Sequence, residues 1–432
     1  MKRYTVNGER CTVLSGIQVI ISLLLFIFAV PFCANAQISN SELLTVTENS
    51  FAVYWETDQA RICKVIYGAN QAKLDQSQAE SGQAGKFHFL EVKGLKSGVG
   101  YFYQIQCGEE KSRGMRLSPG KLTTLALPEG KLLFSFAIIS DLHIKEDLAG
   151  LMLLPGARRA SLMPGFKWKD PNDPYWNFTN RNAVERINQL QPDFTIVNGD
   201  LTSWFTKEEY EIAKNFLDKL QKPYYVLRGN HDRVGDQPED WLKKVFQLDQ
   251  SYYSFSHQGF RFICLDSIRL ADGFEEIAPA EFAWLENILK EDARVPTFIF
   301  THYQMGIGAP GINQDDRKRF LSILEQNPQV IACFYGHQHG AKIQFLKFGD
   351  REVPQIIVPT PKEYPGGFAL VRVFENGLVY NFQALDCDNC LEWRSITMGE
   401  YFGLAPRING GKLTDRNLVY PFPEAIQEQK KK

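Results

Sequence analysis

Apolar residues recur along this chain in two rhythms, and the change between them falls near residue 130. From about Ser41 to Leu125 the pattern is short alternating stretches without a helical period. Ser50-Phe51-Ala52-Val53-Tyr54-Trp55 alternates, and Cys63–Gly68 is a second strand that closes on a turn. His88–Val92 leads into Gly94-Leu95-Lys96-Ser97-Gly98, and Tyr101–Ile105 follows. Strands spaced near ten residues, with an early tryptophan and paired tyrosines, predict a β-sandwich. Pro128-Glu129-Gly130 then reads as a hinge. Beyond it, apolar strands alternate with stretches at helical spacing: Asn182–Leu190, Lys207–Leu220, Ala280–Leu289 and Arg317–Glu325. That alternation predicts an α/β domain reaching about residue 390. From Gly399 the pattern decays into turns, read as an extended wrap ending in Lys430-Lys431-Lys432.

The first 36 residues follow neither rhythm. Lys2, Arg3 and Arg10 precede an uncharged run from Ile17 to Cys33, and Ala34-Asn35-Ala36 offers a small-x-small cleavage point. This order predicts a signal peptide, with an uncleaved anchor as the alternative. The run is somewhat short for a full span. The expectation is a soluble, exported chain starting at Gln37, secreted or periplasmic. An oxidising compartment permits disulfides. Cys63 and Cys107 lie on two strands of one small domain and are a candidate pair. Cys387-Asp-Asn-Cys390 reads as a small surface disulfide, since no redox-type βαβ pattern surrounds it. Cys264 and Cys333 lie inside apolar strands and read as buried thiols.

At 432 residues, with 44% apolar and 23% charged, two domains and tails of ordinary globular type are expected. The formal net charge is only −2, which argues against a nucleic-acid partner held by a broad basic surface.

The chemistry is concentrated where strands stop. Leu132–Ser140 stops at Asp141-Leu142-His143, and Asp193–Asn198 at Gly199-Asp200. Pro223–Arg228 leads to Gly229-Asn230-His231-Asp232, Pro296–Thr301 to His302, and Val330–Tyr335 to Gly336-His337-Gln338-His339. In open α/β sheets ligands bind outside the carboxyl ends of strands. Of seven histidines in the chain, five fall in these strand-end motifs; His88 and His257 are left without chemistry, as a sandwich residue and a hairpin-turn residue. A donor set of nitrogen and oxygen without thiolate suits Mn, Fe or Zn.

The order D-x-H, G-D, G-N-H-D, H, G-H-x-H resembles the calcineurin-like metallophosphoesterases, over about residues 131 to 345. The resemblance implies two mixed β-sheets flanked by helices as a four-layer sandwich, with a dinuclear metal site. It implies that Asp141, His143 and His339 hold one metal ion, that Asn230, His302 and His337 hold the other, and that Asp200 bridges them with its two oxygens. A shared hydroxide would attack phosphorus in line with the leaving oxygen, the ions standing roughly 3.5–4 Å apart. His231 would contact the phosphoryl group or protonate the leaving group, and Asp232 would orient its ring. Asn230 and His231 would thus also contact substrate.

The preceding segment resembles the fibronectin type III-like module found before the catalytic domain in purple acid phosphatases. Those enzymes carry a tyrosine where Ser203 stands here, and lack the histidine that His143 supplies. The site is therefore more similar to the cyclic-nucleotide and glycerophosphodiester phosphodiesterases. The expected division is a signal peptide over 1–36, an all-β fibronectin III-like sandwich over 37–127, a metallophosphoesterase domain over 131–392 and a C-terminal extension over 393–432. The expected activity is phosphodiester hydrolysis on a small-molecule ester such as a nucleotide or glycerophosphodiester. A phosphomonoesterase and a secreted binding protein with an inactive domain stand as alternatives. Within the insertion 145–178, Arg158-Arg159, Lys167-Trp168-Lys169 and Tyr175-Trp176 read either as a grip on such a substrate or as a lid that only packs on the domain.

Overall fold

The computed structural model describes residues 38–112, 120–150, 165–307 and 313–423. The expected signal peptide, and Arg158-Arg159, lie outside the described residues. Among those described, no helix is long and apolar enough to cross a membrane.

The N-terminal part is built of strands alone. β1 (Ile38–Val46), β2 (Ser50–Arg61) and β5 (Gly85–Lys93) form one antiparallel sheet. β3 (Lys64–Gly68), β4 (Gln76–Ala79), β6 (Gly100–Cys107), β7 (Glu110–Lys111) and β8 (Gly120–Thr123) form a second. Their alternate residues meet in one core around Phe51, Val53, Trp55, Val65, Val92 and Ile105. Disulfides join Cys63 to Cys107 and Cys387 to Cys390, while Cys264 and Cys333 are buried free thiols. His88 is satisfied inside this part: it stacks on Trp55, and its ring nitrogens meet Glu80 and Thr57.

The second part is two six-stranded mixed sheets placed face to face. The first runs β11 (Tyr224–Val226), β10 (Phe194–Val197), β9 (Leu132–Ile139), β18 (Gly367–Phe374), β19 (Gly377–Ala384), β20 (Asn417–Pro421). The second runs β12 (Tyr253–His257), β13 (Phe260–Cys264), β14 (Thr297–Thr301), β15 (Val330–Tyr335), β17 (Arg351–Ile357), β16 (Lys342–Phe348). Phe134, Phe136 and Phe194 from the first meet Phe260, Phe262, Phe298, Phe300 and Phe334 from the second. β9, β10 and β11 are parallel, as are β13, β14, β15 and β17, and covering on both faces explains their unbroken apolar runs.

Helices cover the outer faces. Tyr175–Leu190, Lys207–Leu217 and Asp388–Thr397 pack on the first sheet, and Pro279–Glu291 and Gln314–Gln326 on the second. Local sequence sets their starts. Thr206 and Glu209 form a reciprocal capping box, Asn313 accepts from two N–H groups, and Pro279 takes the first helical position. The result is helix, sheet, sheet, helix: an α/β four-layer arrangement preceded by an all-β part.

Two stretches differ from the sequence reading, and at a third one of its two alternatives holds. The first helix begins a full two turns earlier, at Tyr175, because Tyr175 and Phe178 join Ala183 and Ile187 on the buried face. Within the insertion, Trp168 and Tyr175 are buried against Trp393, so of the two alternatives their aromatic faces take the packing one. As far as residue 423 the tail is no extended wrap, since β20 pairs with β19 and Arg416 is buried before it, and Lys430-Lys431-Lys432 lie outside the described residues. His257 ends β12, and its ring packs on Phe134 and Phe194.

Candidate metal centre

Each of the five strand ends delivers its residues to one place. Asp141, His143, Asp200 and His339 offer donor atoms within 4.8 Å of one another, and so do Asp200, His302 and His337. Asp200 belongs to both groups. Asn230 completes the second, with its Oδ1 2.8 Å from His337 Nδ1 and 3.1 Å from His302 Nε2.

The backbone is bent to achieve this. Asp141, His143, Asp200, His337 and His339 all have positive φ, between 44° and 69°. For non-glycine residues that conformation costs of order 1–3 kcal/mol each, and such strain collects at functional sites. The surrounding fold holds it in place. Asp141 N donates to Gly199 O and His143 N to Asp200 O. Thr360 Oγ1 donates to Asp141 O, and Asn180 Nδ2 to Leu142 O.

Glycines are needed here mainly for close approach. A Cβ on Gly229 would stand 2.2 Å from Asp200 N and Oδ1, and one on Gly336 2.2 Å from Ser140 Oγ. Gly199 alone of the three also needs the left-handed region, at φ +89°.

Three of the four histidine rings have a partner behind them and one nitrogen toward the centre, and His337 turns its Nδ1 to Asn230 Oδ1. His302 Nδ1 donates to Asn198 O at 2.9 Å, leaving Nε2 3.2 Å from Asp200 Oδ2. His339 Nδ1 lies 2.7 Å from Glu363 Oε1, leaving Nε2 3.3 Å from Asp141 Oδ1. His143 Nδ1 lies 3.1 Å from Glu146 Oε2, leaving Nε2 3.5 Å from Asp200 Oδ2. Partners of this kind fix tautomer and plane in metal-binding histidines. The donor set therefore fits two cations.

Asp200 is disposed differently from the two-oxygen bridge that the resemblance implies. Its Oδ2 faces both His143 and His302, while Oδ1 accepts from His231 N at 2.7 Å. One oxygen is thus shared between the two groups, and the other fixes the His231 main chain.

The role expected of Asp232 also changes. Its carboxylate accepts from Gly229 N, Leu201 N, Thr202 N and Thr202 Oγ1 at 2.9–3.0 Å. Those donors saturate it, so it ties two loops together. The His231 ring is oriented instead by the main-chain carbonyl of Ser203, 3.0 Å from Nδ1.

The electrostatics call for positive charge. Burial opposes protonation of His302 and His339, yet Asp200 and Asp141 outweigh it and raise them to about 9 and about 10. Asp200 is itself held well below the ordinary carboxylate range; burial works against this, and His302 and His231 overcome it. His143 and His337, without so favourable a carboxylate, are lowered by burial to about 4 and about 3.

Residues outside the strand-end motifs complete the surroundings. Glu146, Lys362 and Glu363 back the Asp141 side. On the Asn230 side, Tyr303 packs on His337 with ring centroids 4.3 Å apart. Arg233 donates to Asn230 O and lies over the Phe205 ring. Arg233 follows the G-N-H-D run directly, a signal the sequence offered; Glu363 and Lys362 arrive on a loop with no motif.

Comparison with known proteins finds one family over the part of the chain that holds these residues. Residues 134–341 match the calcineurin-like phosphoesterase family. A probable glycerophosphodiester phosphodiesterase of Arcobacter nitrofigilis is 29% identical over 167 residues, covering 37% of this chain and 61% of that protein. A probable cyclic nucleotide phosphodiesterase of a Synechococcus species is 28% identical over 217 residues, covering 49% of this chain and 75% of that protein. The chain spans about three-fifths of the length of the glycerophosphodiester phosphodiesterases it matches. Among solved structures, a dimetal phosphatase from Danio rerio aligns over 68% of this chain and 100% of its own, at 14% identity and a TM-score of 0.47.

Proposed function

We propose, from the premise that this chain carries a calcineurin-like phosphoesterase domain, that it is an exported hydrolase of small phosphodiesters working with two metal ions. The observation that carries the reading is the sharing of Asp200 between two donor groups, each compact enough for one cation. When bound, such a pair of ions supplies a nucleophile from water near neutral pH and offsets charge on phosphoryl oxygens.

The chain's own residues bind and orient the ester. The Ser203 carbonyl can only accept, so His231 Nδ1 carries the proton and Nε2 is the free nitrogen. The ring stands beside His143, at 4.7 Å between centroids. Protonated, His231 donates from Nε2 to a phosphoryl oxygen or to the departing alkoxide. Asp200 Oδ1 sets where that ring stands by holding the His231 N–H.

Charge around the site favours a singly charged diester over a doubly charged monoester. Lys362 and Arg228 are already paired with carboxylates, as is Lys145. Arg233 has no carboxylate within ion-pair distance among the described residues, and it sits beside Asn230. One unpaired guanidinium matches one negative charge. Relatives named as glycerophosphodiester and cyclic nucleotide phosphodiesterases support the same substrate class.

The test is hydrolysis of a bis-aryl phosphodiester and its monoester by the chain from Gln37, loaded in turn with Mn, Zn and Fe, with Asp200→Ala as the blank. Faster diester cleavage, lost in the blank, is expected. Monoester preference would shift the assignment to a phosphatase, and no metal-dependent cleavage of either would end the enzymatic reading.

A further inference from the structure

Among the described residues, Lys362 is the cation placed between the half-buried Glu146 and the buried Glu363, each of which lies against a histidine of the same metal subsite. It lies on the loop after β17 and is 5% exposed. Its main chain is anchored at both ends: N donates to Thr360 Oγ1 at 3.0 Å, and O accepts from Trp393 Nε1 at 2.7 Å. Its Nζ reaches Glu146 Oε2 at 2.7 Å and Glu363 Oε2 at 3.9 Å. Glu146 Oε2 lies 3.1 Å from His143 Nδ1, and Glu363 Oε1 2.7 Å from His339 Nδ1. The two histidine rings stand 5.1 Å apart. The arrangement closes on itself, from His143 through Glu146, Lys362 and Glu363 to His339.

Among the described residues the other subsite has no such support. His302 is held by the neutral carbonyl of Asn198, and His337 turns its Nδ1 toward Asn230. Among the described residues Lys362 Nζ pairs with Glu146 and Glu363, and with no candidate metal ligand.

We propose that Lys362 is a positioning residue for the Asp141–His143–His339 subsite, fixing both histidines at once by holding Glu146 and Glu363 in register behind them. This rests on the metal reading given above. A buried carboxylate keeps its rotamer only while its donor is present, and a ligating imidazole keeps its plane and tautomer only while its acceptor is present. Removing the ammonium therefore loosens two rings through two carboxylates, while the Asn230–His302–His337 subsite is untouched.

The experiment is calorimetric titration of the metal-free full chain with Mn2+, for wild type, Lys362→Met and Lys362→Arg, each also in His302→Ala and His339→Ala backgrounds. Wild type takes up two Mn2+. Lys362→Met weakens one of the two steps by ~10–100-fold, and Lys362→Arg recovers most of that loss. The loss persists beside His302→Ala and disappears beside His339→Ala. Two unchanged steps in Lys362→Met, or equal weakening of both, overturns the proposal and leaves the metal reading standing. Uptake of no Mn2+ by wild type overturns both. Where Lys362→Met does not fold by circular dichroism, Glu146→Gln and Glu363→Gln carry the test. Each must weaken the same single step, and effects on different steps refute the shared role.

Discussion

The carbonyl oxygen of Ser203 lies 3.0 Å from Nδ1 of His231 and so fixes which nitrogen of that ring is free to meet substrate. The neighbouring Asp232 has no part in this, since four donors from Gly229, Leu201 and Thr202 consume its carboxylate. The two residues should then fail differently when changed. His231→Ala is expected to lower kcat by ~10²–10⁴-fold with two metal ions still bound, because it removes a proton donor and nothing structural. Asp232→Asn should instead lower the melting temperature, since an amide cannot accept from all of those donors. Kinetics with metal analysis on both variants checks this. A large kcat loss in a stably folded, metal-replete Asp232→Asn would contradict the division.

Gly229 is required for what stands beside it, as its φ lies outside the left-handed region. A methyl group there would sit 2.2 Å from both N and Oδ1 of Asp200. Gly229→Ala must therefore displace the one residue both subsites share. Binding of both metal ions should fall together, with activity lost, even where the protein still folds. Metal content after dialysis is the readout, and retention of two ions would show that the loop yields without moving Asp200.

Much of this site was legible because buried parallel strands are unbroken apolar runs, and each run ends where a polar ligand begins. β9, β14 and β15 keep nearly the bounds their patterns suggest, as does the Thr206–Glu209 helix start. What was not legible depends on tertiary neighbours. Pro361-Lys362-Glu363 carries no motif, and only the fold brings Lys362 and Glu363 behind His143 and His339. Lys167-Trp168-Lys169 reads equally as a grip or as packing, and only burial of the indole against Trp393 decides between them. Asn417–Pro421 is too short to declare itself as a strand before β19 supplies its partner.

Among the described residues, the N-terminal strands supply no donor to the metal centre and meet the second part through buried ion pairs. Glu42 of β1 pairs with the buried Arg394 and Arg416 and accepts from Tyr364 Oη at 2.9 Å. Its carboxyl is held below the usual range: burial works against this, and the two guanidiniums overcome it. Glu42→Gln leaves both cations buried without a counter-charge and should cost about 3–5 kcal/mol in urea unfolding. Since Glu42 touches no donor of the metal centre, kcat well below the melting temperature should stay near that of wild type. A loss confined to kcat would place the N-terminal part in catalysis.

Glu281 should make the fold less stable as the solution turns alkaline. It sits in the first turn of the Pro279–Glu291 helix, 2% exposed, with Oε1 accepting from Asp266 N at 2.7 Å. Burial, followed by the charge of Asp266, raises its carboxyl to about 9 from an ordinary 4.5. Below the ordinary value both folded and unfolded chains carry the proton, so the group's contribution is fully present. Between the two values only the folded chain keeps it, and stability declines by about 1.4 kcal/mol per pH unit from this group, levelling above the folded value. Glu281→Gln keeps the acceptor for Asp266 N and removes the titration. The variant should therefore melt several degrees above wild type at pH ~8, and the gap should narrow toward pH ~5. Melting curves across that range decide it, and parallel curves for the two proteins would mean that Glu281 ionises freely in the fold.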